Sequence, residues 1–483
     1  MIINFMNDIQ EYVFNCFELN VIFFFFFLRA AGFFGRFLNE NGFMDRVYKW
    51  VIALVILIEY VGLITHFEAD LLEVFGIGFN GTHLSLTVEI TKALLLYFWL
   101  FYYYYLENNQ PNFIKDHVRV CAMELALAGG LIMVSSTNWV HLIVGTEMIS
   151  FSTYFLIAHE GSKQAVAAAF KYIVYSVLGT SFILFGFVSS YVSYKDLLFT
   201  PWTSTWLFSS GYSLFFWILG WFIKIGIGPS FFWVPEVYRS TSASVFLYVS
   251  TIIKIPYLFP LLQTRVVPFT IGYEHTTTTN IIIILGLIGI VINAVIIYNV
   301  KNIRDLIAYS SGITINLAVV GFSAHFSVVY LYVLITTYLA GHFAFFIWHS
   351  ILNASELSEV ESVEYAVLRQ EDRVANAGIT ALVIANSGIP PVVLFIYKFI
   401  AIGMFAGIVS PVLSGLGIFV IMFIPIVNIY AYFQFLVKIK VRTDYVYVTP
   451  VEERITSYEF AYIATFLFFT SLPLITLYVI INS

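Results

Sequence analysis

The chain has 483 residues, of which 60% are hydrophobic and 11% charged, with a formal net charge of −6. A soluble domain of this length has no use for so apolar a surface, so the composition is that of a polytopic membrane protein. The negative charge is diffuse and no polybasic stretch occurs, which excludes nucleic acid as a partner.

Cysteine usage narrows the chemistry further. Only Cys16 and Cys121 occur, so this chain alone cannot supply the four thiolates of an iron-sulfur cluster. It also has no CxxC or CxxCH motif for zinc or covalent haem. A Walker lysine loop and a GxGxxG fingerprint are likewise missing. Any redox chemistry is therefore expected in another chain. The 50 Phe and 32 Tyr include the run FFFFF at 23–27, and both residues have codons built from A and T alone, which suggests an AT-rich organellar genome. The beginning, MIINFMNDIQEYVF, shows neither a basic n-region nor an Arg-rich amphipathic presequence. The expectation is a protein made inside the organelle.

In chain order, apolar segments of spanning length are predicted at 15–34, 50–66, 86–106, 117–135, 138–158, 165–192, 211–235, 242–263, 279–298, 303–322, 325–350, 376–407, 409–437 and 457–480, fourteen in all. Charge asymmetry tests that count. Fifteen Lys and Arg fall on the connections after odd-numbered spans or the span edges beside them, and only Lys195 and Arg265 on the alternate connections. The positive-inside rule then puts the odd connections on the synthesising side and both termini on the other, the intermembrane-space side of a mitochondrial inner membrane. The fold class expected is an all-α polytopic membrane protein.

Six basic residues remain inside spans: Arg29, Lys92, Lys171, Lys224, Lys254 and Lys398. Ionisable groups within a membrane are expensive and are functional candidates by default. Lys92 follows Glu89 by three residues, so the two share a helix face and form a self-satisfied pair. Lys92, Arg29 and Lys171 also lie within snorkelling reach of span ends. The other three lysines sit deeper, each near a helix breaker: Lys224 before Gly228 and Pro229, Lys254 before Pro256, and Lys398 after Pro390 and Pro391. The duller alternative is three structural lysines paired with carboxylates.

Glu147, central in the fifth span, is the acidic partner of choice, ahead of Glu59 and Glu124. An opposite charge about 4 Å away, at an effective dielectric near 20, contributes on the order of 4 kcal/mol or about 3 pKa units. Desolvation lowers a buried lysine by roughly 3 to 5 units. Movement of the carboxylate would therefore carry Lys224 across neutral pH and couple charge to proton uptake and release. The order of breaker and lysine is reversed between spans 7 and 12. Paired broken helices in corresponding halves of a transporter point to an inverted repeat with ion sites near the midplane.

GTEMIS at 145–150, FKYIVYSVLGTSFILFG at 170–186, KIGIGPSFFWVPEVY at 224–238, IRDLIAYSS at 303–311 and GIPPVVLFIYK at 388–398 occur in order. Together they resemble the antiporter-like proton-pumping subunits of NADH:ubiquinone oxidoreductase, respiratory complex I, and within them the fourteen-helix subunit 2 branch. The lysine at the twelfth span and the absence of a long lateral helix separate this chain from the subunit 4 and subunit 5 branches. The resemblance implies a first repeat over 116–265 and a second, inverted five-helix repeat over 279–440. These are flanked by a three-helix segment at 1–115 and a basic loop with a final helix at 441–483. It further implies an input switch of Glu147 and Lys224, Lys254 as central relay, and Lys398 toward the exit. NADH, FMN, iron-sulfur clusters and ubiquinone would belong to partner subunits, with no cofactor or metal in this chain. Neighbouring antiporter-like subunits and membrane lipids are the implied partners. Two positions depart from the pattern, since Phe231 and Thr314 stand where relatives often carry histidine. Waters, Tyr309 or His342 would complete the path, although a lone histidine on an aromatic helix is more often a packed one. The acidic stretch 353–373 reads as a surface segment against neighbouring subunits or as a solvated face. A Mrp-type cation/proton antiporter subunit and a non-pumping structural subunit are the competing functional readings.

Overall fold

The structure, a computed structural model, describes residues 83–109, 116–136, 139–194, 211–258, 276–300, 303–323 and 411–441. It also describes isolated positions at 22, 51, 334, 341–342, 380, 383–384, 386–388, 398 and 400–403. The regular elements among the described residues are all helical. The predicted spans 15–34, 50–66, 325–350 and 457–480 lie outside them apart from those isolated positions, as does most of 376–407.

The helices are α1 (His83–Asn109), α2 (His117–Val134), α3 (Trp139–Ala158), α4 (Lys163–Tyr194), α5 (Gly211–Ile225), α6 (Trp233–Ser240), α7 (Ala243–Leu247), α8 (Thr276–Ile297), α9 (Ile303–Ser323) and α10 (Pro411–Val441). Five of them are long and apolar enough to cross a membrane, or six spans when the bent α5–α6 pair is counted as one. Those five match the predicted spans at 117–135, 138–158, 165–192, 279–298 and 409–437 to within a few residues, and the helix α9 coincides with the predicted segment 303–322. Two predicted spans turn out to be interrupted. The limbs 215–230 and 233–240 meet at 90°, and the helix that starts with α7 passes through a π-helical turn at Tyr248–Ile252.

Two compact units are distinguished. The first comprises Met1–Ile173, Phe187–Ser210 and Tyr248–Gly272, and the second Val174–Gly186, Gly211–Leu247 and Tyr273–Ser483.

In the first unit, α2 and α3 form a hairpin with its tightest approach at two glycines. A Cβ at Gly129 would come within 2.8 Å of the Gly145 carbonyl oxygen, and one at Gly145 within 2.7 Å of the Gly129 oxygen. Small residues at such crossings let backbones touch where hydrophobic burial provides no drive, because lipid is as apolar as the side chains. The hairpin is also tied at its wet end. Asp116 accepts a 2.8 Å hydrogen bond from His159 and pairs with Arg119 at 3.1 Å. Partial burial alone would push the Asp116 carboxyl up, but the His159 hydrogen bond, reinforced by the His159 and Arg119 charges, holds it below the ordinary carboxylate range. Trp99 and Tyr102 of α1 pack around Tyr248, edge-on and tilted, with ring centroids 5.7 and 5.6 Å away.

In the second unit, α8 and α9 interlock residue by residue. Gly286 faces Val320, Gly289 faces Asn316, and Gly312 faces Asn293. Each large or polar side chain thus meets a glycine on the opposing helix. The four-residue spacing of Gly289 and Asn293, and of Gly312 and Asn316, keeps each pair on one helical face.

Candidate functional site

The second unit answers how a lysine, two glycines and a proline coexist in an apolar span. Lys224 is not mid-helix but in the last turn of α5. There the terminal carbonyls have no intrahelical partners and the helix dipole favours a cation. Its side chain is only 4% exposed, and its stem lies against α4, where a Cβ at Gly179 would meet Lys224 Cγ at 2.8 Å. Gly179 and Gly220 form a second close crossing, with a Cβ at Gly220 only 2.6 Å from the Gly179 oxygen.

Beyond Lys224 the chain turns through Gly226 and Gly228, with φ of 75° and 63°, a region that strongly favours glycine. The opened backbone is then satisfied by named groups. The Ile227 N–H donates to the Phe222 carbonyl at 2.8 Å. Ser230 Oγ donates toward the Phe222 and Ile227 carbonyls at 3.0 and 2.7 Å. The indole N–H of Trp233 donates to the Ile223 carbonyl at 3.1 Å, and the Gly228 N–H donates to Asn316 Oδ1 at 2.8 Å. These bonds replace those that lipid cannot supply, which gives the spacing of lysine, proline and tryptophan in KIGIGPSFFWVPEVY a physical reason.

The IRDLIAYSS segment has a reason as well. Asp305, 3% exposed, pairs with Arg239 of α6, and Arg304 donates to the carbonyls of Thr241 and Arg239 at 2.7 and 3.1 Å. The start of α9 therefore caps the end of α6. Phe231 packs against Tyr309 with ring centroids 5.5 Å apart. Tyr309 itself is half-buried. Thr314 is buried and turns its hydroxyl to the Ser310 carbonyl at 3.1 Å.

Lys398 belongs to the same unit, is helical and is also 4% exposed. Upstream of it the described positions 380, 383–384 and 386–387 are helical and the chain turns at Gly388 with φ of 74°, while Pro390 and Pro391 lie outside the described residues. Asn428 Nδ2 donates to the Ser387 carbonyl at 3.3 Å. His342 is buried.

In the first unit, Lys254 is 6% exposed and follows the π-helical turn, closed by the Ile253 N–H to the Tyr248 carbonyl at 3.3 Å. Such turns concentrate at functional sites. Pro256, the breaker read from sequence, packs against Gly130 of α2, where a Cβ would approach its Cγ to 3.1 Å. A buried hydroxyl cluster lies one turn further on. Tyr257 meets Ser150 Oγ at 3.1 Å and donates to the Thr146 carbonyl at 3.3 Å, and Tyr172 stands within hydrogen-bonding reach of Thr153, Ser150 and Tyr257.

Glu147 departs from the buried carboxylate expected from its central position. It is exposed on α3, together with Val144, Phe151 and Phe155. Gly145 docks on α2, and two residues further is about 200° around the helix, so residue 147 points away from the hairpin. The carboxylate buried in this hairpin is instead Glu124 of α2, at 0% exposure, next to Met123, whose carbonyl accepts the Tyr248 hydroxyl at 2.8 Å. Sequence had ranked Glu124 lower for want of a neighbouring breaker; its signal was the small-residue run that follows, ALAGG, which marks a helix in close contact with a neighbour. Asn293 and Asn316 were missed altogether. Lys92 is half-buried and Lys171 exposed, while Arg29 and Glu59 lie outside the described residues.

Comparison with known proteins places this architecture. Solved structures share the fold. A chain of respiratory complex I from Thermus thermophilus matches with a TM-score of 0.69 at 18% identity, covering 95% of this chain and 98% of that one. A chain of the membrane-bound sulfane sulfur reductase, an archaeal respiratory membrane complex, matches with a TM-score of 0.70 at 17% identity, covering 95% and 94%. Among curated relatives, NADH-quinone oxidoreductase subunit N of Ruthia magnifica is 26% identical over 289 residues, 57% of this chain and 59% of the relative. Subunit N 1 of Aquifex aeolicus is 26% identical over 301 residues, 61% and 62% of the two chains. The match therefore spans about three-fifths of the length of those relatives. Residues 136–424, more than half of the sequence, match the family described as NADH:quinone oxidoreductase/Mrp antiporter, TM. The chain belongs to that family of antiporter-like membrane proteins.

Proposed function

We propose that this chain is a proton-translocating membrane-arm subunit of a respiratory complex I, of the subunit 2 kind. Electron transfer from NADH to ubiquinone in other subunits would drive it. The observation that carries the reading is the bent α5–α6 segment. Lys224 is enclosed in the last turn of a broken helix whose opened backbone groups are met by Ser230, Trp233 and Asn316. A structure that satisfies an opened span in this way holds a charge and its hydration path inside an apolar layer. Lys254 and Lys398, both buried, extend the set as relay and exit. In this reading NADH, FMN, iron-sulfur clusters and ubiquinone are bound by partner subunits.

Glu147 takes a modified role. A carboxylate on an apolar outer face is costly against lipid, so its face, with Val144 and Phe151, is one that a neighbouring membrane subunit covers, and its charge acts across that boundary. Fourteen spans, with two inverted five-helix repeats between a three-helix segment and a final helix, remain the topology proposed for the whole chain. The Phe- and Tyr-rich composition supports a mitochondrial inner membrane, and the charge asymmetry supports termini on the intermembrane-space side.

The test begins with native electrophoresis of mildly solubilised membranes, stained in gel for NADH oxidation and probed for this chain by mass spectrometry. Co-migration with the large NADH-oxidising band is expected. Within that complex, Lys224→Met should remove most of this subunit's share of protons moved per NADH oxidised. Migration in a small complex without the activity, or unchanged pumping by Lys224→Met, defeats the reading. Na⁺- or K⁺-dependent exchange by the isolated chain would instead establish the Mrp-type alternative.

A further inference from the structure

Asn293 of α8 is fully buried, and neither Oδ1 nor Nδ2 has a hydrogen-bonding partner among the described residues. A buried amide left this way bears an uncompensated desolvation penalty, so a position that keeps one has a use for it. Its surroundings show what that use is. A Cβ on Gly312 would come within 2.8 Å of both Asn293 Nδ2 and Phe231 Cε2, so the amide and the ring edge converge on one point above Gly312. The Gly312 carbonyl accepts Asn316 Nδ2 at 2.7 Å, and Asn316 Oδ1 accepts the Gly228 N–H at 2.8 Å. A line of polar atoms therefore runs from Asn293 over Gly312 and Asn316 to the opened backbone four residues beyond Lys224. Gly289 holds it closed, because a Cβ there would lie 2.4 Å from Gly228 Cα.

We propose that Asn293 is a relay-positioning residue whose amide orients water beside the helix break, carrying the proton path from the Lys224 turn past Phe231 into the α8–α9 interface. The amide suits the task because it offers two donors and an acceptor and stays neutral. At each water one O–H bond forms as another breaks, and Asn293 ends unchanged. Asn316 is the clamp, with both of its amide atoms engaged. The inference rests on the proton-translocation reading above and is testable separately from it.

The experiment compares Asn293→Val and Asn293→Thr, two side chains of nearly one shape that differ by a hydroxyl, in the assembled membrane complex. It measures protons moved per NADH oxidised, with Lys224→Met in parallel. Valine should lose most of this subunit's pumping while NADH oxidation and assembly persist, and threonine should retain much of it. Phe231→His added to the valine variant should restore pumping, since a ring nitrogen there reaches the same point. If valine fails to assemble, Asn293→Ala against Asn293→Ser makes the same one-hydroxyl comparison. Equal behaviour of the polar and apolar variants, whether both pump, both fail or neither assembles, overturns the role of Asn293. Should Lys224→Met also pump normally, the reading beneath it falls as well.

Discussion

The α2–α3 hairpin runs through its spans as unbroken helix and zips together at Gly129 and Gly145, whereas the α5–α6 segment stops at Ile225 and turns by 90°. In the hairpin, backbone groups are satisfied within each helix, so the fate of a polar side chain depends only on the face it occupies. Glu124 is enclosed and Glu147 exposed for that reason alone. In the bent segment the backbone itself becomes polar surface, and side chains must meet it: Ser230 and Trp233 from the segment itself and Asn316 from α9. An unbroken span can change one residue at a time. A broken one depends on every partner that replaces a lost hydrogen bond.

The largest effect should come from blocking that dependence. Gly289→Val places a side chain where even a Cβ lies 2.4 Å from Gly228 Cα and 2.6 Å from Asn316 Oδ1. Backbone cannot yield as a flexible side chain can, so the cost should exceed the roughly 1–3 kcal/mol typical of overpacking. The expected result is loss of the chain from the assembled complex, read as its steady-state level in membranes. Gly415→Val on α10, where a Cβ meets nothing within 4 Å, should leave that level unchanged. Similar damage from both would remove the distinction drawn here.

A smaller effect is expected from Trp233→Phe, which keeps the ring but deprives the Ile223 carbonyl of its donor. Leaving a buried acceptor unsatisfied costs about 1–3 kcal/mol, visible as a lower unfolding temperature of the purified complex. No change would mean that the break does not rely on its tryptophan cap.

The smallest effect concerns the hairpin's wet end. The Asp116 carboxyl, held below the ordinary carboxylate range in the fold, adds stability that is present at pH above that range and is lost as pH falls through the lowered value. Asp116→Asn should therefore cost at most about 1 kcal/mol near neutrality, the scale of exposed ion pairs. Its deficit against wild type should close in acid. A deficit that persisted unchanged in acid would assign Asp116 a role other than its charge.

Much of this was legible in one dimension, for identifiable reasons. Spans 117–135 and 138–158 were found almost to the residue, because about twenty apolar residues in a row admit few other structures. Lys224, Lys254 and Lys398 were found because a lysine in an apolar run is conspicuous, and all three are buried. Pro256 led to Lys254 for a partly mistaken reason, since the local irregularity is the π-helical turn before the lysine, which no single residue type announces. Asn293 and Asn316 were passed over because asparagine in a helix carries no charge to draw notice. Their importance comes from the glycines opposite them on another helix.

Composition and order thus determined by themselves that the chain lives in a membrane, where several of its helices run, and which charges lie inside them. They did so because the free energy of placing backbone and charge in an apolar layer is large and local. Only the tertiary structure decided that Glu124 is the hairpin's enclosed carboxylate and Glu147 the open one, that Lys224 ends a helix rather than interrupting it, and that asparagines gather at the break. Those outcomes depend on which helix faces meet, and a face is set by packing between segments far apart in the chain.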